Sequence, residues 1–146
     1  MSMPDDRTAF VASMGDILAS WNLPRATGRV YGHLLLTSRP VSLDDMSEAL
    51  ELSKGAVSTS VRELVSWGLA RALPQPGSRR LLIEATGGFE QLLAASHERT
   101  RSFVSTLRGG TGLTDADPAR ERLDGIADFF EAYVQAGDAM LREYRG

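Results

Sequence analysis

Cysteine is absent from this 146-residue sequence, and histidine occurs only at His33 and His97. The lack of cysteine excludes disulfide bonds, thiolate zinc sites and cysteine nucleophiles, and nothing indicates an oxidising compartment. Carboxylates and histidines do not cluster at metal-ligand or catalytic spacing, so we expect no metal site, no cofactor and no enzymatic activity. Asp44 and Asp45 are adjacent, but neighbouring residues on a helix diverge by about 100°, which favours first-turn charge over paired acid/base chemistry.

Long apolar runs are also missing. None approaches the roughly 18 residues that a membrane-spanning helix needs, and the amino-terminal segment MSMPDDRTAF is acidic where a signal peptide would be basic. We therefore expect a cytoplasmic protein that neither carries a targeting segment nor binds a membrane. The length suits one compact domain with an appended helical piece, and a 42% apolar content can supply its core.

Lysine is nearly absent, because Lys54 is the only one, and arginine supplies almost all of the positive charge. The net charge of −3 is unevenly distributed along the chain. Residues 1–20 carry one basic and three acidic groups, residues 21–83 eight and five, and residues 84–146 seven and eleven. A basic middle between acidic ends is typical of a local phosphate-binding surface, and the alternative is chance clustering on a mixed-charge surface.

The segment Ser53–Gly68 reads as a capped helix with one apolar and one small, polar face. Ser53 suits the N-cap and Gly68 the stop after the last turn. The inward face carries Val57, Val61, Leu64 and Val65. The outward face carries Gly55, Ser58, Thr59, Arg62 and Ser66, with Lys54 nearby. Hydroxyls and cations without bulky apolar groups suit an anionic surface, so this pattern predicts a DNA-recognition helix.

Three helices are predicted before this segment. The first covers Asp5–Ser20, and the second runs from Pro24 to about Ser38, with Gly28 and Gly32 spaced for a close backbone approach. One face of the second helix carries a basic column, either a solvated face or a phosphate contact: Arg25, Arg29 and His33. A third, short helix over Ser42–Leu50 begins with a capping-box pattern and is followed almost directly by Ser53, which predicts a helix-turn-helix. Its packing residues would be Met46, Leu50, Val57 and Val61.

A hairpin is predicted after Gly68, from two short apolar segments separated by PQPGSRR. Arg79 and Arg80 lie at its tip, where guanidinium groups suit the phosphate backbone or the minor groove; a merely soluble loop is the alternative. Thr86 is expected to cap the next helix, which ends at Arg108 and is followed by a Gly-rich linker. Asp117 and Pro118 would then start a last helix with a heptad-like apolar seam.

The terminal helices are expected to form a dimer interface or to pack back onto their own domain. The residues that we assign to the interface are Phe89, Leu93, Phe103, Leu123, Ile126, Phe130, Tyr133 and Met140. A dimer of this kind would bring two recognition helices to half-sites about 34 to 36 Å apart. The predicted fold is therefore mainly α, with an N-terminal helix over 1–20 for dimerisation or support, a winged helix-turn-helix domain with a small β-hairpin wing over 21–86, and a C-terminal helical dimerisation region over 87–146.

From about Leu23 to Thr86 the sequence resembles a winged helix-turn-helix of the MarR superfamily. The segments PRATGRVYGHLLL and SLDDMSEALELSKGAVSTSVRELVSWGLAR are especially similar to its GbsR-type branch. The resemblance implies a homodimeric, double-stranded-DNA-binding transcriptional regulator, often a repressor, that responds to a ligand. Its motif places the DNA contacts at Ser53, Lys54, Gly55, Ser58, Thr59, Arg62, Arg79 and Arg80. Trp67 departs from the small or charged residue that the pattern has near the helix end.

Two further hypotheses accompany this one. The same scaffold could serve as a protein-interaction module that binds DNA weakly or not at all, which the net acidity favours slightly. The resemblance to GbsR-type regulators also raises a choline-like effector, because aromatic side chains bind quaternary ammonium groups. Trp21, Tyr31 and Trp67 are the candidates for such a site, and each also fits a core or interface role.

Overall fold

The computed structural model describes residues 4–145. In chain order the helices and strands are α1 (Pro4–Ser20), α2 (Arg25–Leu36), β1 (Val41–Ser42), α3 (Leu43–Leu50), α4 (Lys54–Ser66), β2 (Ala70–Pro74), β3 (Leu81–Ala85), α5 (Glu90–Gly110), a 3₁₀ turn (Thr111–Leu113) and α6 (Asp117–Arg145). The chain forms two compact units, one ending at Phe89 and the other beginning at Glu90. This mainly helical architecture with a small antiparallel sheet is the predicted winged helix-turn-helix fold.

Helices α1 and α2 pack with their backbones unusually close, as the two glycines predicted. A Cβ atom added at Gly28 would lie 2.7 Å from the Cα of Gly15, and one at Gly32 would lie 3.0 Å from the Cβ of Met14. Backbone atoms cannot move aside as the end of a flexible side chain can, so only glycine fits at position 28. This contact supports α2, which in turn packs against α4.

Helices α3 and α4 form the helix-turn-helix, and serine caps define where each begins. The Ser42 hydroxyl accepts a hydrogen bond from the Asp45 amide at 3.1 Å, and the Ser53 hydroxyl accepts one from the Ala56 amide at 3.1 Å. Glu51 ends α3 in the left-handed region, with φ of 54°. The two helices bury the predicted set Met46, Leu50, Val57 and Val61. Both predicted serine caps and the packing of α3 against α4 are thereby confirmed.

The sheet has three strands, one more than the sequence predicted. Strands β2 and β3 form the hairpin, with Ala70 opposite Ala85 and Pro74 opposite Leu81. Strand β1 pairs antiparallel with the other edge of β3, Val41 opposite Ile83, which gives the order β1-β3-β2. Two residues are too few for an alternating pattern to be visible in a sequence, because only the pairing with β3 makes them a strand.

Two predictions about the segments that flank α5 were wrong. Thr86 does not cap α5, which begins only at Glu90; its hydroxyl donates to the Gly68 carbonyl and its amide to the Leu69 carbonyl at 2.8 Å. Thr86 therefore closes the hairpin onto the end of α4. The predicted end at Arg108 was also early, since α5 continues to Gly110 and a 3₁₀ turn follows. A Cβ at Gly110 would lie 3.3 Å from a methyl group of Leu123, so contact with α6 holds this turn in place.

In the second unit α5 and α6 pack against each other. Helix α6 buries Ala127, Val134 and Leu141, spaced seven residues apart, as a coiled-coil-like seam requires. Gly137 lies beneath the buried His97 imidazole, which a Cβ at that position would approach to 2.6 Å. The His97 Nδ1 atom lies 2.9 Å from a carboxylate oxygen of Asp138, and the Arg101 guanidinium donates to the other oxygen. The His97 hydrogen bond, more than the nearby arginine, lowers the pKa of Asp138 below its ordinary value of 3.8.

Candidate nucleic-acid interface

The outward face of α4 is the surface that the sequence assigned to DNA, and the structure leaves it open. Lys54, Gly55, Thr59 and Arg62 are exposed and Ser58 is half-buried. The opposite face is buried through Val57, Ser60, Val61 and Leu64. Val57, Val61 and Leu64 thus face inward as predicted, whereas the prediction was wrong for Val65, which is 43% exposed.

Gly55 has no packing partner that would explain a glycine. Apart from its own helix, no heavy atom of the described chain lies within 4 Å of where its Cβ would be. Its φ is not in the left-handed region either, since the positive-φ glycines of the described chain are Gly68 and Gly77. A glycine in a helix costs roughly 0.5 to 1 kcal/mol relative to alanine. Its position is therefore suited to the close approach of something outside the chain.

The cations of this face are weakly held by the protein itself. Lys54 Nζ lies 3.3 Å from a carboxylate oxygen of Asp44, but both side chains are well exposed, and exposed ion pairs are worth about 0 to 1 kcal/mol. The Arg62 guanidinium lies 3.4 Å from the Thr59 hydroxyl, a long hydrogen bond. Either cation can therefore exchange its partner for a phosphate or a base at small cost.

Trp67 has a structural role at the end of α4. It is the C-cap residue, half-buried, and its indole N–H donates to a carboxylate oxygen of Glu63 at 3.3 Å. Gly68 follows in the left-handed region, with φ of 75°, and its carbonyl accepts from Thr86. Trp67 thus bonds back onto its own helix, and Gly68 makes the link from α4 to Thr86 after the hairpin.

The two arginines at the hairpin tip are placed differently. Arg79 is exposed. Arg80 is exposed too, but its guanidinium reaches back and donates to the Ser42 hydroxyl at 3.2 Å, while its amide donates to the Ser78 hydroxyl at 3.0 Å. Arg79 can therefore extend towards a nucleic acid, whereas Arg80 also ties the hairpin to the start of α3. Sequence reasoning missed Ser42 as the partner of Arg80, since 38 residues separate them.

The predicted basic column on α2 splits into distinct contacts. Arg25 forms an exposed ion pair with Asp16 of α1. Arg29 donates to the Leu50 carbonyl at 2.9 Å and so joins α2 to the turn of the helix-turn-helix. Burial, and after it the charge of Arg7, lowers the pKa of His33. Arg29 is a supporting residue that the sequence signalled only through its i, i+4 spacing.

The aromatic candidates for an effector site lie in unlike surroundings. Tyr31 is buried, with 2% of its surface exposed, and its hydroxyl donates to the Thr86 carbonyl at 3.3 Å. Trp21 is 43% exposed. Both rings stack edge-on against Phe89, with centroids 6.0 and 5.8 Å away. Trp21 therefore offers an accessible ring and Tyr31 does not. Phe89, which the sequence assigned to the dimer interface, belongs to the first unit and packs against these two rings.

The remaining residues assigned to a dimer interface lie in the second unit. Leu123 and Phe130 are half-buried, and Phe130 stacks edge-on against Phe103 with centroids 5.3 Å apart. The others keep a large part of their surface exposed: Leu93 39%, Phe103 45%, Ile126 38%, Tyr133 59% and Met140 41%. Within the described residues this leaves an uncovered apolar surface on the α5–α6 pair.

Residues 4–145 contain no group of histidine, aspartate and glutamate side chains placed to hold a metal ion. In the same part of the chain no helix is both long and apolar enough to cross a membrane.

A helix-turn-helix with an open polar recognition helix and a hairpin bearing arginines defines a winged-helix DNA-binding protein. No family model matches the sequence. Among curated proteins, the HTH-type transcriptional regulator MmpR5 of Mycobacterium tuberculosis is 31% identical over 127 residues, which are 84% of this chain and 76% of that protein. This chain belongs to the family of HTH-type transcriptional regulators to which MmpR5 belongs.

Other relatives agree at lower coverage. The repressor OpcR of Bacillus subtilis is 26% identical over 56% of this chain and 44% of its own length. The putative regulator YvaV of the same organism is 27% identical over 65% of this chain and 54% of its own. The chain thus spans about half the length of these two. A crystal structure described as a transcriptional regulator superposes with a TM-score of 0.68 and 27% identity over 96% of this chain and 98% of that one.

Proposed function

We propose that this protein is a homodimeric repressor of the GbsR-type branch that binds a palindromic operator. Helix α4 lies in the major groove, the β2–β3 hairpin reaches the minor groove, and a small effector releases the DNA. The observation that carries the proposal is the outward face of α4, where small and hydroxyl side chains surround one arginine. The assignment as a repressor draws support from OpcR, which is named a repressor. The assignment to the GbsR-type branch draws support from the sequence resemblance.

Sequence reading rests on few side chains in this proposal. Arg62 is the only long side chain at the centre of the outward face, and an arginine can donate two hydrogen bonds to guanine. Ser53, Ser58 and Thr59 are short and reach a base or phosphate only at close range. Much of the affinity then comes from Lys54, from Arg79 and Arg80 on the hairpin, and from the second subunit.

The DNA-binding experiment uses the promoter upstream of the protein's own gene and a scrambled DNA of equal length. We expect salt-dependent binding that favours the promoter, because each phosphate contact releases counterions. Arg62→Ala should lower the preference for promoter by about 1 to 3 kcal/mol, if the arginine contacts a base bidentately. Equal losses on both DNAs would refute base reading by Arg62. Absence of salt-dependent binding to any DNA would favour a protein-interaction module instead.

Dimerisation through the α5–α6 pair follows from the uncovered apolar surface. Ile126, Phe129, Tyr133, Met140 and Tyr144 are exposed and repeat at spacings of three, four and seven, so they form one stripe along α6. A contiguous apolar surface of this kind marks an interaction site, and in an isologous dimer the same stripe meets its own copy. The palindrome of the proposed operator follows from that two-fold axis.

The mass in solution tests the dimer. The chain of 15.8 kDa should sediment at twice that mass. Tyr133→Lys, on the stripe, should shift the protein towards monomer, because a lysine would be buried without a partner. Gln135→Lys introduces the same charge at an exposed position off the stripe and should leave the dimer intact. A monomeric wild type, or equal effects of both variants, would contradict this interface.

The sequence resemblance makes a choline-like compound the first effector to test. Trp21 is the accessible ring that could bind a quaternary ammonium group by a cation–π contact. Titration calorimetry with choline and glycine betaine measures this directly. Absence of heat at millimolar ligand would remove these two compounds from the proposal.

A further inference from the structure

An apolar groove of about 340 Å³ lies in the first unit, between α4 and strands β2 and β3. Val61 and Ile83 are buried at its floor, and Val65 of α4 and Leu81 of β3 form its sides. Ala72 lies opposite Ile83 in the sheet, and its small side chain leaves the space between helix and sheet open. Val65 is 43% exposed and Leu81 is 39% exposed. The groove is therefore an apolar surface that the described chain leaves uncovered.

The rim of the groove belongs to the polar face of α4. Ser58, Arg62 and Ser66 lie on that face and also line the groove. Among the described residues that line it, Arg62 is the charged one, and none is acidic. Such a groove suits a partner that is anionic at its edge and apolar where it meets the floor. The major groove of DNA has both properties, because phosphates border it and the C5 methyl group of thymine projects into it.

Val65 gains only part of the burial that would explain a valine at this position of a helix. A β-branched residue is a poorer helix former than alanine, so an alanine or a polar residue would serve an ordinary exposed position at least as well. An apolar group from outside the chain, covering the exposed side of Val65, accounts for the choice.

Helix geometry relates Val65 to Arg62. Val65 follows Arg62 by three residues, which is about 4.5 Å along a helix axis. Successive base pairs of DNA are about 3.4 Å apart. When α4 lies along the major groove, as in the proposed function, Val65 is therefore about one base pair away from the base that Arg62 contacts.

We propose that Val65 reads a thymine, whose C5 methyl group enters the groove between Val65 and Leu81. The thymine belongs to the base pair next to the guanine that Arg62 contacts, so each half-site of the operator contains a G·C pair beside a T·A pair. This inference rests on the proposed DNA-binding function and adds to it the base that a second residue of α4 selects. Loss of one methyl group from such a contact lowers affinity by about three- to fivefold.

Selection from a library of random DNA duplexes gives the operator and tests the predicted step. The full chain should enrich a guanine with a thymine in the neighbouring base pair. Arg62→Ala should lose the guanine and keep the thymine, whereas Val65→Ala should keep the guanine and lose the thymine. Val65→Ala should fold, since alanine is the better helix former. Leu35→Ala is the control and should enrich the same sequence as wild type, because Leu35 is 45% exposed on α2 and does not line the groove.

Replacing the selected thymine by deoxyuridine removes its methyl group and keeps its base pairing. Wild type and Leu35→Ala should bind the deoxyuridine operator about three- to fivefold more weakly than the thymine operator. Val65→Ala should bind both operators equally, with about the affinity of wild type for the deoxyuridine operator. Replacement of a thymine outside the predicted step is the matched control on the DNA and should leave affinity unchanged.

The outcomes separate this inference from the proposed function. Equal binding of both operators by wild type would overturn the inference and leave the proposed function standing. A deoxyuridine effect that persists in Val65→Ala would assign the thymine to another side chain and overturn it too. A thymine more than about two base pairs away from the guanine that depends on Arg62 would refute the geometry. Failure of wild type to enrich any sequence would refute the proposed function itself and favour a protein partner for the groove.

Discussion

Gly55→Ala should make the protein more stable and a weaker DNA binder at the same time. The added methyl group meets nothing within 4 Å in the described chain, apart from the helix itself, so no steric term opposes the higher helix propensity of alanine. The gain should lie near 0.5 kcal/mol, the low end of the range, because the position is in the first turn of α4. In a chain of this length that raises the melting temperature by about 1 to 3 °C. On DNA, the methyl group occupies the space that we assign to the groove wall, and affinity should fall at least about tenfold.

Gly125→Ala is the matched control, because Gly125 lies in α6 with equally open space at its Cβ position. It should raise the melting temperature by a similar or slightly larger amount and leave DNA affinity unchanged. Thermal unfolding by circular dichroism and promoter binding at fixed salt measure both properties. If Gly55→Ala is stabilised and binds DNA as tightly as wild type, the argument that this glycine serves a close approach fails. If it is destabilised instead, the absence of packing at this position is refuted.

Three further predictions concern the scaffold and the β2–β3 hairpin. Gly28→Ala should lower the free energy of unfolding, measured in urea, by at least about 1 to 3 kcal/mol, because its Cβ would lie 2.7 Å from backbone atoms of α1. An unchanged free energy of unfolding would disprove that close packing. The His97 hydrogen bond lowers the pKa of Asp138 below 3.8, so its stabilisation is complete above that pH and lost as the pH falls through the lowered value. Asp138→Asn should accordingly be less stable than wild type at pH 7, with the difference closing below about pH 3.8 in acid titrations, and a pH-independent difference would contradict this. Arg79→Ala should weaken binding to all DNAs and flatten the salt dependence without changing stability. Arg80→Ala should do the same and also lower the melting temperature, because the variant loses the hydrogen bond from Arg80 to Ser42 at the start of α3. Identical melting temperatures of the two variants would refute their different placement.

Local signals in the sequence were sufficient for most of the first unit. Ser42 and Ser53 precede apolar periodic segments, and a hydroxyl that accepts from an amide three residues later acts within a single turn. Gly28 and Gly32 destabilise the helix in which they lie, so the close approach of another backbone was the remaining explanation for them. The winged helix-turn-helix follows from such short-range rules, because each of its elements carries its own start, stop and inward face.

The errors lie where distant contacts override local preference. Strand β1 exists because Val41 lies opposite Ile83, and nothing within two residues could reveal that pairing. Thr86 has the composition of a helix cap, yet its hydroxyl is taken by the Gly68 carbonyl. Helix α5 continues to Gly110 because that residue lies against Leu123 of α6. In each case the deciding partner is more than ten residues away, beyond the reach of a periodicity argument.

The exposed polar face of α4 was predictable as a set, but the contacts of the individual basic side chains were not. A helical pattern places Lys54, Gly55 and Arg62 on one face, and the structure has them exposed. It could not show that Arg80 donates to Ser42, since that contact depends on the path of the hairpin. Nor could it show that Arg29 supports the turn before α4, because a basic column on a helix has the same spacing whether it is solvated or bonded.

Ser42 joins three parts of the molecule through one buried side chain and its short strand. It pairs in β1 with Leu82, caps α3, and accepts the guanidinium of Arg80. The hairpin consequently cannot swing outward without loosening the first turn of the helix that positions α4. In the proposed DNA complex, the hairpin and α4 would therefore contact the duplex at a distance from each other that is fixed in the free protein. A DNA whose grooves do not match that distance would have to bend, so its stiffness would contribute to specificity.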